Sequence, residues 1–148
     1  MLVIVDLQED YRDEFNRQRL TFKRTLQHLR QRILVAVENK EIILRLNNEQ
    51  DGSLIKEIKE LAPGYSLSYN LYKSTWDGSN QIFRFIKRNQ LATSKIELAG
   101  AFVNVCVLKT WQGLKNRGLK VLPINKNLVL HAPGAKECIE EYPEGYLE

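Results

Sequence analysis

The 148-residue chain is poor in the residues that build small, cross-linked or metal-stapled folds: two cysteines, two histidines, four prolines and one methionine. Cys106 and Cys138 belong to no CxxC pair and have no metal-like spacing, so neither a disulfide framework nor a zinc site is expected. No Pro-, Gly- or Ser-rich linker, internal repeat or low-complexity tract interrupts the chain. Residues 1–148 are therefore expected to form one domain, a usual size for a single hydrophobic core. No apolar run approaches the roughly 18 residues of a membrane span. The opening Met1-Leu2-Val3-Ile4-Val5-Asp6 has no basic region and breaks on an acid, as a strand does and a signal peptide does not. A soluble, cytoplasmic protein without membrane partners is expected.

Hydrophobic residues make up 43% of the chain and charged ones 27%, with a formal charge of +4. These are ordinary globular values and exclude disorder, collagen and coiled coil for the whole. Short apolar runs alternate with helix-spaced patterns. Residues 2–7 are nearly all apolar, which suits a central parallel strand covered on both faces. From 16 to 38, Leu20, Leu26, Leu29, Ile33, Leu34 and Val37 recur at helical spacing. Strands are predicted at 42–46, 69–72, 96–99 and 119–124, with Pro123 arguing that the last ends at an edge. Helices are predicted at 54–61, from Ser79 through Ile86, and at 105–114. Residues 128–130 suit a short strand and 134–141 a terminal helix. The pattern predicts an α/β fold: three layers, α/β/α, doubly wound about a central parallel sheet of five to six strands.

In such a sheet, ligands bind beyond the carboxyl ends of the strands where the strand order reverses. Asp6 and Gln8 follow the first predicted strand, Tyr72 and Lys73 the third, and the segment from Gly100 to Cys106 the fourth. A carboxylate, an ammonium and a thiol thus share one edge. Cys106 stands near a helix start, where the dipole and Lys73 favour a thiolate. Asp6 can accept the thiol proton and return it to a leaving group. Backbone amides can serve an oxyanion, and the set suits cleavage of an amide or related C–N bond. Each group also has a bland reading: Cys106 as a small buried hydrophobe, Asp6 as a cap for the next turn, Lys73 as surface charge.

Three segments carry a resemblance. Leu2-Val3-Ile4-Val5-Asp6-Leu7-Gln8-Glu9-Asp10-Tyr11 is similar to the first strand of the isochorismatase-like cysteine hydrolases. Tyr72-Lys73-Ser74, with Trp76 and Gly78, resembles that family's lysine segment, and Gly100-Ala101-Phe102-Val103-Asn104-Val105-Cys106-Val107 its nucleophile segment. Members include nicotinamidases, carbamoylsarcosine and ureidoacrylate amidohydrolases, and true isochorismatases, which lack the cysteine. The resemblance implies Asp6 as general base, Lys73 as its charge partner and Cys106 as nucleophile. It implies a cis peptide bond between Ala101 and Phe102, and an oxyanion hole from the backbone N–H groups of Phe102 and Cys106. Gln8, Tyr11, Phe15, Trp76 and Asn104 are candidate pocket residues, and Phe102 a candidate aromatic wall. A small-molecule substrate and a homo-oligomer such as a dimer are implied as partners.

Departures sharpen the expectation. The chain is shorter than usual for the family, which implies short substrate-covering loops. Residues 46–51 hold no histidine where nicotinamidases have an Asp-x-His metal motif; His28 falls in the basic helix and His131 near the tail. No metal and no cofactor are expected, and nicotinamidase activity is disfavoured. Val103, Asn104 and Asn125 stand where the family often has Thr or Ser, Asp, and Asp. A catalytically inactive member acting as a binding or structural subunit is the alternative.

Charge distribution raises a further class. Arg17, Arg19, Lys23, Arg24, Arg30 and Arg32 fall in a stretch with no acid, and residues 98–136 are again free of acids, before Glu137, Glu140, Glu141, Glu144 and Glu148 make the tail acidic. Such a stripe can meet phosphates, but it comes with no nucleic-acid-binding module, so polyanion or nucleic-acid binding is disfavoured.

Overall fold

The computed structural model describes residues 1–92, 95–132, 142 and 146. β1 (Leu2–Val5) has every residue buried, because helices cover both faces of the sheet and leave neither side of a central strand in water. β2 (Ile43–Asn48) and β4 (Glu97–Ala101) flank it, with β3 (Ser68–Lys73) and β5 (Val129–Leu130) outside them. All pairings are parallel and the order is β3-β2-β1-β4-β5. This is the predicted three-layer α/β/α arrangement, with five strands among the described residues.

Alternate strand residues enter opposite cores, as the two-residue period requires. Leu2, Ile4 and Ile43 pack with α1 (Arg12–Arg17), α2 (Arg19–Glu38) and α3 (Lys56–Lys59). Val3, Val5, Leu44 and Leu46 pack with α4 (Ser79–Arg88) and α5 (Cys106–Asn116). The strand expected at 119–124 reduces to one bridge, Val121 with Ile96. Pro123 has no N–H to give a ladder, which ends the pairing there. The helix expected from residue 16 is two helices, broken at Gln18. α2 buries Phe22, Thr25, Leu29, Ile33 and Ala36, whereas Leu20 and Leu34 are 84% and 59% exposed. Leu34 lies roughly 100° round the helix from Ile33, and Leu20 roughly 200° from Phe22, so both leave the packed stripe. The expected helix at 134–141 falls outside the described residues.

The chain winds from β1 outward to β3, then crosses back to β4 on the other side of β1. Strand order therefore reverses between β1 and β4, and the carboxyl ends of these strands are where a ligand crevice of such a sheet is expected. Gly100 lets the two strands come close: a Cβ there would sit 2.1 Å from the Val5 carbonyl oxygen, and its φ of +116° is a glycine conformation. Among the described residues no helix is long and apolar enough to cross a membrane.

Candidate active site

Asp6 is the first residue beyond β1. Its φ of +47° is left-handed, an uncommon conformation for a residue with a side chain, and marks the end of the strand. Lys73 ends β3 and crosses β2 to reach it. Its Nζ donates to Asp6 Oδ2 at 2.7 Å and to the Thr75 carbonyl at 3.0 Å. Lysine and aspartate are 0% and 1% exposed, so the ion pair is fully buried. Among the described residues Asp6 Oδ1 makes no close hydrogen bond, and the Cys106 thiol is the further side chain that acts on the carboxylate. Cys106 opens α5, is also buried, and lies within electrostatic reach of both charged groups.

Burial dominates the protonation of this group. It raises the Asp6 pKa above the usual carboxylate value, opposed by the Lys73 charge and by the Cys106 thiol. Burial also pushes the Cys106 thiol up to about 12, with the Asp6 charge adding to the shift and Lys73 opposing it. The expectation of a resting thiolate is thus corrected. Desolvation and the neighbouring carboxylate outweigh the helix start and the ammonium, and the thiol holds its proton at neutral pH.

The Ala101–Phe102 peptide bond is cis. Beyond it, Val105 and Val107 N–H groups donate to the Phe102 carbonyl at 3.0 and 3.1 Å, and Val103 N–H donates to Leu130 at 2.7 Å. The N–H groups of Phe102 and Cys106 donate to no described residue.

The candidate pocket residues divide. Half-buried Tyr11 donates its hydroxyl to Asp51 Oδ2 and sets its ring edge-on to Phe102, with centroids 5.6 Å apart. The carboxylates of Asp51 and Asp6 and the Cys106 thiol raise its pKa, together with burial, which comes first. Trp76 is 63% exposed and lines an open groove of about 510 Å3 with Asn48, Gln50, Thr75 and Lys109. Gln8 is not a pocket wall. It is wholly buried and clamps the turn after β2: Nε2 donates to the carbonyls of Asn48 and Gly52 at 2.9 Å and to that of Asp51, and Oε1 accepts from Asn48 N–H at 2.7 Å. Phe15 is likewise withdrawn, stacked on Phe22 at 5.0 Å in the core under α2. Asn104 Oδ1 accepts from Ala132 N–H at 3.0 Å, so this side chain ties the nucleophile turn to the segment after β5. Asp51 escaped the sequence reading, since an acid in a turn carries no signal of the tyrosine that will reach it. Among the described residues no three His, Cys, Asp or Glu side chains gather as a metal site would require.

No family model matches the chain, and no curated protein matches it either. Solved structures do. A nicotinamidase from Staphylococcus aureus superposes with a TM-score of 0.78 at 16% identity, over 99% of this chain and 96% of that one. N-carbamoylsarcosine amidase from Thermoplasma acidophilum gives 0.69 at 20% identity, over 99% and 94%. MAR1 ribonuclease from Caenorhabditis elegans gives 0.72 at 20% identity, over 95% and 71%. The parallel order β3-β2-β1-β4-β5 matches the topology of the isochorismatase and nicotinamidase structures, and the chain has the isochorismatase-like fold.

Proposed function

We propose that the chain is a cysteine hydrolase of the isochorismatase-like family that cleaves an amide or related C–N bond of a small molecule through an acyl-enzyme. One observation carries the reading: a fully buried Asp6–Lys73 pair at 2.7 Å stands beside a thiol at the start of α5, on the rim where strand order reverses. A buried ion pair is a costly thing to keep for stability alone, so a use for the carboxylate supports its presence.

A substrate carbonyl oxygen accepts from the Phe102 and Cys106 N–H groups. Asp6 takes the thiol proton as sulfur attacks the carbonyl carbon, and negative charge develops on the oxygen that those amides face. Protonated Asp6 then gives the proton to the leaving nitrogen, the C–N bond breaks, and the amine or ammonia departs. Water enters; Asp6 removes one of its protons as its oxygen attacks the thioester. The acid product leaves, and the sulfur takes the proton back from Asp6. Lys73 keeps Asp6 ionised between these transfers against the pull of burial. Tyr11 and Phe102 wall the site. A cytoplasmic homo-oligomer completes the proposal.

A second reading, the inactive binding subunit, is favoured by the 5% exposure of Cys106 and by the engagement of Asn104 with Ala132. One experiment separates the two. Small amides and ureido compounds are screened against the native protein and Cys106→Ala, with intact mass followed for an acyl adduct. Turnover and an adduct that both vanish in Cys106→Ala are expected. Turnover that survives the substitution overturns the cysteine mechanism, and a native protein inert towards the whole panel favours the binding subunit.

A further inference from the structure

A second hollow lies on the sheet face that α2 and α3 cover, away from Asp6, Lys73 and Cys106. Parallel register puts Arg45 opposite Asn70 and Asn47 opposite Tyr72 on the same face. α3 has only four residues, too short to cap this end of β2 and the edge strand β3. A cavity of about 210 Å3 remains, lined by Arg45, Asn47, Lys59, Asn70, Tyr72 and the turn residue Ser53. That is below the roughly 300–1,000 Å3 of pockets enclosing drug-sized ligands, so one small group fits.

The lining holds cations without acids. Arg45 is partly buried, its Nε finds no acceptor, and it forms no ion pair with a described residue. Desolvation lowers its pKa, with no carboxylate of the described residues opposing. The nearby acids of the α3 segment are engaged elsewhere: Glu57 with Arg12 at 2.7 Å and Glu60 with Lys56 at 3.8 Å. Asn47 supplies an independent sign. It is 6% exposed, and its side-chain Oδ1 has no hydrogen-bond partner among the described residues; an amide oxygen accepts, so it calls for a donor, which the P–OH of inorganic phosphate or of a monoester monoanion supplies. The dry Nε of Arg45 is a buried donor left without an acceptor, which a fold is expected to satisfy. An oxyanion supplies what is missing, since the planar fork of arginine matches two oxygens of a phosphate, and a lysine, amides and hydroxyls stand ready for the others.

We propose that this hollow binds a phosphate group, as inorganic phosphate or as a small phosphate monoester. Titration calorimetry and thermal melting are run on the native protein, Arg45→Gln, Lys59→Gln and Cys106→Ala, with inorganic phosphate, ribose 5-phosphate and ribose as probes. Phosphate probes raise the native melting temperature while ribose does not. Arg45→Gln weakens binding at least about tenfold, as loss of a charge-assisted bidentate contact requires. The exposed Lys59→Gln, whose fold is in no danger, weakens it by a smaller factor. Cys106→Ala binds as the native protein does. Without phosphate, Arg45→Gln melts no lower than native, because it removes an unpaired charge. Tighter binding of ribose 5-phosphate than of inorganic phosphate identifies a monoester as the ligand, and equal binding identifies phosphate itself. Absence of any phosphate effect at millimolar concentration overturns the proposal. So does an effect unchanged in both Arg45→Gln and Lys59→Gln, or one lost only in Cys106→Ala, which would place the anion at the thiol.

Discussion

Lys73 and Asp6 depend on each other more than either depends on water. With both side chains buried, removing one partner leaves a bare charge in a low-dielectric interior. Lys73→Met is therefore expected to cost about 3–5 kcal/mol in denaturant unfolding, and Asp6→Asn with Lys73→Met to recover much of that loss. Cys106 gives the second prediction at this scale. Its thiol, raised from 9.0 to about 12, is alkylated in a Cys138→Ser background roughly 10³-fold more slowly at pH 8 than an unperturbed thiol, with the rate still climbing above pH 10. The sign for stability follows. A raised folded pKa contributes stability that is complete below about 9 and is lost as pH rises through about 12, so Cys106→Ala flattens the alkaline limb of a stability–pH curve. All three residues were legible because each falls at a predicted strand end or helix start. The state of the thiol was not, because proximity to a helix start is a sequence feature whereas desolvation is not.

α2 illustrates what an element's pattern leaves open. Several of its leucines fit a helical period, but the helix buries one stripe, and Leu20 and Leu34 lie off it. Leu29→Ala is expected to cost about 2–5 kcal/mol, whereas Leu34→Lys changes unfolding free energy by less than about 0.5 kcal/mol. The turn after β2 is held by one side chain from β1's end. Replacing Gln8 by Ala strands the Asn48 N–H and the carbonyls it served, at about 1–3 kcal/mol for each group that stays buried and unpaired. Faster amide exchange across residues 48–52 checks that expectation. In the sequence, Gln8 looked like a ligand-facing residue of the rim. Its partners lie forty to forty-four positions away, and nothing local marks them.

At the scale of the molecule, strand order reverses because β4 returns beside β1. Gly100 lies at that seam. Gly100→Ala would press a methyl group against the backbone of Val5, which cannot yield as a side-chain tip can. Loss of cooperative unfolding, or destabilisation beyond about 4 kcal/mol, is expected in a denaturant titration. The sequence by itself determined the alternation of strands and helices, the parallel sheet, and the chemistry at the strand ends, since period, length and strand-end position are local properties of a chain. Only the tertiary structure decided that Pro123 ends a bridge rather than a strand, that Phe15 packs in the core, and that Gln8 and Asn104 hold backbone. It alone also put a neutral thiol beside a buried ion pair, because desolvation and long-range hydrogen bonds depend on distance in space, which one-dimensional spacing does not contain.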